Sequence, residues 1–196
     1  SKFLQGYYDL SGISSDSFDQ AIQFTGSGGA RLTEAMLEKD IKLETAVTTS
    51  NYYLGINMQD NTIGGYSDSA KKLRQAISIA VDFEEYIAIF MNGRGVAAQG
   101  IIPPGIYGFA EGKEGINSVV YDWKDGKPVR KPISVAKQLM AEAGFKDGID
   151  PKTKEPLILY FDTTAVNVDD KPRMNWYRKQ FDKLGIKLVV RATDYN

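Results

Sequence analysis

The sequence predicts an α/β protein, and three observations carry that reading. The last third runs "LILYFDT", "DKPRMNWYRKQFDKLG", "IKLVVRA". That is strand, helix, strand, the length of a βαβ unit; if the strands are parallel neighbours, the crossover is right-handed. The middle carries Leu73, Ala76, Ile77, Ala80 and Val81 at helical spacing. The first third holds "IKLETAV", which alternates at Ile41, Leu43, Thr45 and Val47 as a half-buried strand does.

Each element follows from its local chemistry. Residues 7–10, "YYDL", read as a short strand. Ser14 or Ser15 caps a helix over "SDSFDQAIQF", with Phe18, Ile22 and Phe24 on one face. "TGSGG" breaks it, and "ARLTEAMLEKD" reads as a second helix with Leu32, Ala35 and Met36 as its apolar stripe. "IKLETAV" then runs into "TTSNYYLGINMQD", Thr48 to Asp60. Its β-branched and aromatic residues, closed by Asn and Asp, predict a strand. Alternation would send Tyr52 and Tyr53 to opposite faces, one to a core and one outward.

After the loop "NTIGGYSDS", the segment from Ser69 to Gly93 predicts two helices. The split falls near Asp82, which with Glu85 has capping-box spacing, and Gly93 ends the second helix. "RGVAAQGIIPPGIYGFAEGKEG" is loop, "WKDGKP" a hairpin-type turn, and "ISVAKQLMAEAG" a helix stopped by Gly144. In the final helix Met174, Tyr177, Phe181 and Leu184 face inward, and Gly185 stops it.

Composition excludes several chemistries. The 196 residues carry 24 basic and 25 acidic side chains, net −1. Such balance gives no overall attraction to nucleic acid or to acidic membranes. No run approaches the roughly 18 apolar residues of a membrane helix. Cys and His are both absent, so thiolate or imidazole metal sites and Ser–His or Cys–His nucleophile pairs are excluded. We expect no cofactor and no resident metal. "SKFLQGYYDL" has no charged start followed by an apolar run, and "TDYN" follows directly on a strand. The chain therefore reads as a mature product or an excised piece.

Short motifs weigh little by themselves. "GSGGARLTEA" sets glycines before a helix, but Arg31 replaces the third fingerprint glycine and no Gly-Lys-Ser/Thr follows. Ser69–Lys72 and Ser134–Lys137 have the Ser-x-x-Lys spacing of penicillin-binding acyl enzymes, without the companion motifs. "DGIDPKTKE" fails calcium-loop spacing at Ile149 and Pro151. Asp82, Glu84 and Glu85 suit a helix N-terminus by capping and dipole. "KPVRKP" lacks interleaved aromatics and reads as a solvated loop.

The order of motifs reaches further. "FLQGYYDLSGIS", "YYLGIN", "AKKLRQAISIAVDFEEYIAIFMNGRGVAAQGIIPPG", "AKQLMAEAGFKDG" and "FDKLGIKLVV" together resemble the family 5 extracellular solute-binding proteins of ABC importers. That family includes the dipeptide- and oligopeptide-binding proteins, two-lobed clefts built from three domains. The resemblance implies a type II periplasmic-binding-protein-like fold. Residues 1–53 would be the end of a first-lobe segment plus a crossover. Residues 54–196 would form most of the other lobe, truncated at its C-terminal end.

The implied ligand positions are Ser11, Gly12 and Ile13 in a cleft-lining loop, and Thr48, Ser50, Tyr53 and Gly55 along the crossover. Gly55 stands where some peptide binders carry an acidic residue. The implied ligand is a solute, a peptide first, with oligosaccharides and metal chelates also found among relatives. The implied partner is a membrane permease, with no nucleic acid involved. The implied location is exported, either periplasmic or lipid-anchored on the outer face of the cytoplasmic membrane. Lobe closure, a hinge motion, would do the work in place of catalysis. The rival readings are a Ser–Lys acyl enzyme and an interaction module without a small ligand.

Overall fold

In the computed structural model, residues 2–14, 17–24, 30–164 and 170–193 are described, Phe24 by its backbone alone. The expectations for Ser15, for the glycines of "TGSGG" and for the side chain of Phe24 lie outside the described residues. The chain divides into two compact units, Ser1–Thr48 with Tyr86–Val96, and Thr49–Glu85 with Ala97–Asn196.

In the first unit, α1 (Phe18–Ala21) is a single turn that passes directly into β1 (Ile22–Phe24). β1 pairs antiparallel with β2 (Ala30–Leu32), setting Ile22 opposite Leu32. α2 (Glu34–Leu37) follows. Phe18, Ile22 and Leu32 form the buried cluster, with Ile13, Met36, Ile41 and Leu43 packed against it. The two longer helices expected over 15–24 and 30–40 are thus corrected. The ladder brings Ile22 and Leu32 into one core, and Ala35 is left exposed. Residues 7–10 form no strand, and Tyr7, Tyr8 and Leu10 are exposed. Of the alternation expected over residues 41–47 only the first half forms: Ile41 and Leu43 pack inward, whereas Thr45 and Val47 are exposed, and the segment joins no ladder. Alternation here reports burial against a neighbour, not pairing.

The second unit is built on α3 (Asp68–Ala80). Ser67 caps it, its hydroxyl accepting from the Ala70 N–H at 3.2 Å. Leu73, Ala76, Ile77, Ala80 and the following Val81 are all buried, as their spacing predicts. The chain breaks at Val81–Asp82 and α4 (Phe83–Phe90) begins, with its residues up to Glu85 in this unit and those from Tyr86 in the first. The Asp82 carboxylate accepts from the Glu85 N–H at 3.1 Å. Only half of the expected capping box forms, because the Glu85 carboxylate is taken by Trp176 and Gln180. The other half is supplied from elsewhere: the Asp82 N–H donates to the Gln180 side chain at 3.2 Å.

After the single turn α5 (Gly112–Gly115) comes a hairpin of β3 (Tyr121–Lys124) and β4 (Lys127–Arg130). Asp125 and Gly126 both have positive φ, 51° and 77°, the type I′ geometry that matches strand twist. α6 (Ile133–Glu142) packs along α3. β5 (Ile158–Thr163), α7 (Lys171–Asp182) and β6 (Lys187–Ala192) then complete the unit. β5 and β6 pair in parallel, Leu159 beside Leu188, so the βαβ reading holds. Met174, Tyr177, Phe181 and Leu184 are buried as expected. Gly148 and Gly185 pack backbone on backbone. A Cβ on Gly148 would lie 2.5 Å from the Gly185 carbonyl, and Gly148 also has φ 76°, so no other residue fits there without displacing a backbone.

Residues 48–57 form no strand, against expectation. β propensity is a preference for a paired, half-buried surface, and among the described residues no strand pairs with this segment. Side chains hold it instead. The Asn51 amide donates to the Ile101 carbonyl at 2.9 Å and to that of Gly100 at 3.3 Å. Asp60 closes the following turn, accepting from the N–H groups of Thr62 at 2.8 Å and Ile63 at 3.0 Å.

Candidate functional site

In the first unit, Ser11 and Gly12 are exposed and Ile13 is half-buried on the Phe18 cluster. Thr48 ends the first of that unit's two segments and is exposed. In the second unit, Ser50, Tyr53 and Gly55 form one open strip. Tyr52 is 91% exposed and Tyr53 84%. The expectation that one of the two tyrosines serves a core is therefore corrected: with no ladder beneath them, neither ring is buried. A Cβ at Gly12 or Gly55 would meet nothing within 4 Å, so neither position needs glycine for space.

The Asn51 tether sets the 100–107 loop beside this strip. A Cβ at Gly105 would lie 3.9 Å from the Thr49 methyl. Ile101 is 93% exposed and the Tyr107 ring is fully open. Sequence reasoning assigned this loop no role. The signal was there: "IIPPGIYG" is an apolar run inside a Gly/Pro loop, where a core cannot form around it. What these residues offer is rings, hydroxyls and free backbone, which are contacts for a solute.

The most strongly perturbed titratable groups lie elsewhere in the second unit. The Tyr121 hydroxyl donates to Glu84, and Arg130 reaches the other Glu84 oxygen with two nitrogens, Nε at 3.1 Å. Arg130 Nη1 also donates to the carbonyls of Ile79 at 3.0 Å and Val81 at 3.3 Å, groups that the end of α3 leaves without helical partners. Burial alone would raise the Glu84 carboxyl, but the Tyr121 hydroxyl and the Arg130 guanidinium outweigh it and hold it below the ordinary carboxylate value. Burial first, then the bond to Glu84, pushes the Tyr121 hydroxyl up. Every member has partners, so this is a structural clasp. An open cavity of about 500 Å³, lined by Lys113, Tyr121, Asp122 and Trp123 among others, lies beside it.

A lowered folded-state pKa contributes stability above the ordinary carboxylate value, and that contribution is lost as pH falls through the folded value. The urea midpoint of the chain should therefore drop on acidification below about pH 4.5, and Glu84→Gln should remove part of that slope. Parallel losses in wild type and variant would show that Glu84 is not held low.

The Ser-x-x-Lys pairs are engaged or exposed. Ser69 donates to the Ala143 carbonyl at 2.6 Å and Lys72 pairs with Glu142 at 2.9 Å. Ser134 and Lys137 lie exposed on α6. In "DGIDPKTKE" the Asp150 carboxylate accepts from the Lys152 N–H at 2.8 Å, the expected turn. Among the described residues no group of three or more His, Cys, Asp or Glu is placed to hold a metal, and no helix is long and apolar enough to cross a membrane.

An open aromatic strip on irregular backbone, within an α/β frame, suits a protein that holds a solute. The chain matches the bacterial extracellular solute-binding proteins, family 5 Middle, over residues 4–196, and it belongs to that family. No curated protein matches it. Among solved structures it is similar to a periplasmic oligopeptide-binding protein of an oligopeptide ABC transporter from Thermotoga maritima (25% identity, TM-score 0.49, covering 68% of this chain and 25% of that one). It is also similar to AgaA in complex with agropinic acid from A. tumefaciens R10 (25%, TM-score 0.46, 63% and 21%). A third is DppA from Helicobacter pylori in complex with the peptide STSA (21%, TM-score 0.47, 71% and 22%). The chain thus spans a quarter or less of the length of these structures.

Proposed function

We propose that this chain is part of the substrate-binding component of an ABC importer, a protein that captures a solute by lobe closure and delivers it to a membrane permease. The observation that carries the reading is the family match over residues 4–196. The solute class is peptide, as in the dipeptide- and oligopeptide-binding members that the sequence resembles. Residues 1–53 supply a first-lobe segment and crossover, and 54–196 supply most of the other lobe. Ser11, Gly12, Ile13, Thr48, Ser50, Tyr53 and Gly55 face the ligand, with Ile101 and Tyr107 beside the crossover. The parent acts outside the cytoplasmic membrane, periplasmic or lipid-anchored. It needs no cofactor and catalyses no reaction; the engaged Ser69 and Lys72 side chains favour this over an acyl enzyme.

The test uses the full-length parent. Native mass spectrometry of the purified protein should find a co-purified peptide, and calorimetry with that peptide gives a reference Kd. Tyr53→Ala removes an anchor of the kind that typically contributes about 2 kcal/mol, so Kd should rise roughly 30-fold. Because Tyr53 is exposed, the melting temperature should hold. The same now applies to the stability of Tyr52→Ala. An unchanged Kd in Tyr53→Ala would remove that ring from the site.

A further inference from the structure

We infer that Arg94 is a positioning residue that fixes the Ser11–Ile13 loop; the inference rests on the reading above that this loop lines the ligand site. All the residues concerned lie in the first unit.

The argument starts at the end of α4. "MNGRG" follows the helix. Asn92 and Gly93 both take left-handed backbone, φ 49° and 70°, and the Gly93 N–H returns to the Ile87 carbonyl at 3.0 Å. The two left-handed residues and this return bond close the helix end and fix where the next residue leaves it. That residue is Arg94. Its Nε donates to the Met91 carbonyl at 3.0 Å, so the base of the guanidinium is tied to the helix end. Its Nη1 donates to the Ile13 carbonyl at 3.1 Å. The guanidinium carbon lies over the Phe18 ring, 5.0 Å from its centre, and that ring is buried in the core cluster.

One side chain thus joins a helix terminus, the core ring and the loop backbone, where the Ile13 side chain already packs on the same core. Residues 11–14 have no regular structure. The Ser11 hydroxyl donates to the Gly12 carbonyl, a local bond, and the Ser14 carbonyl accepts from the Ser17 N–H at 3.1 Å; Arg94 adds a tie from a distant element to the loop backbone. The planar fork of Arg donates in two directions while its carbon sits over the ring, which a lysine ammonium cannot do from one position.

These 196 residues hold no cysteine; with any cysteine elsewhere in the full-length protein replaced by serine, a single introduced one can carry a nitroxide label. In the full-length protein, a label at Ser14→Cys reports the loop without altering a proposed ligand contact. A label at Arg31→Cys, exposed on β2, reports the rest of the unit. Arg94→Met keeps the apolar stem and removes the donors. It should shorten the rotational correlation time at position 14 at least about twofold and leave position 31 unchanged, and Arg94→Lys should do likewise. An unchanged spectrum at 14, or equal loosening at both positions, would overturn the inference, the second because Arg94 would then only support the core. Calorimetry with trialanine on the unlabelled Arg94→Met protein separates the two readings. A Kd raised about tenfold alongside the looser loop supports both. A looser loop with unchanged affinity keeps the positioning and removes the loop from the site.

Discussion

Leu73→Ala should destabilise the second unit by about 3 kcal/mol, within the 2–5 kcal/mol seen when a large buried aliphatic is truncated. Leu73 is fully buried, at 0% exposure, on the face of α3 that packs along α6. The wall opposite is already filled by Ala136 and Met140, both buried, and by the hydrogen bond from Ser69 to Ala143 that pins the end of α6 to the start of α3. The two helices therefore have little freedom to close over the space left behind. Urea denaturation of the chain, followed by the fluorescence of Trp123 and Trp176, measures the loss. A change under about 1 kcal/mol would mean that the cavity collapses and that the α3–α6 contact is looser than its geometry indicates.

Arg130→Met should cost about 2–3 kcal/mol, the range for removing charge-assisted hydrogen bonds that leave partners unsatisfied. The loss has two parts. Glu84 keeps its Tyr121 partner but loses the guanidinium, and the carbonyls of Ile79 and Val81 lose their Arg130 donor at the end of α3. Methionine retains most of the apolar stem, so packing is largely preserved. Arg130→Lys should recover little, because one ammonium cannot serve a carboxylate and two carbonyls together. A double-mutant cycle with Glu84→Gln isolates the pair. Additive losses would show that the two side chains do not cooperate.

The legible parts of the fold were those where local chemistry and burial agree. The stripe from Leu73 to Val81, the Asp-Gly turn of the hairpin and the βαβ unit all came through, because each is specified within a few residues. The first unit was harder. Ile22 and Leu32 fit a helical stripe as well as a strand, and their pairing across Arg31 and Gln23 is a tertiary choice that spacing cannot encode. "TTSNYYLGINMQD" misled for the opposite reason: its composition suits a strand, but a strand exists only where another chain segment offers a ladder. For the candidate site, Tyr53 was singled out by the family resemblance alone, and its openness, shared with Tyr52, comes from the missing ladder and not from alternation. The 100–107 loop and Arg94 were not legible. Both depend on single side chains, Asn51 and Arg94 itself, reaching backbone carbonyls 50 and 81 residues away, and such long-range ties leave no periodic trace.

The two strand pairs of the second unit carry an ordering in time. The β3–β4 ladder closes through Asp125 and Gly126, neighbours already bent the right way, and hairpins of this kind assemble in about 1–10 μs. The β5–β6 ladder sets Ile158 beside Lys187 with all of α7 between them. Its ends must find each other through a long loop, whose closure entropy is spent before any bond returns it. The backbone contact between Gly148 and Gly185 adds a second meeting of the same two regions, so the parallel pair and the glycine contact form together or not at all. During synthesis the hairpin can therefore be complete while β5, with Tyr160 and Ile158 on its outer face, is still waiting for its partner strand to emerge.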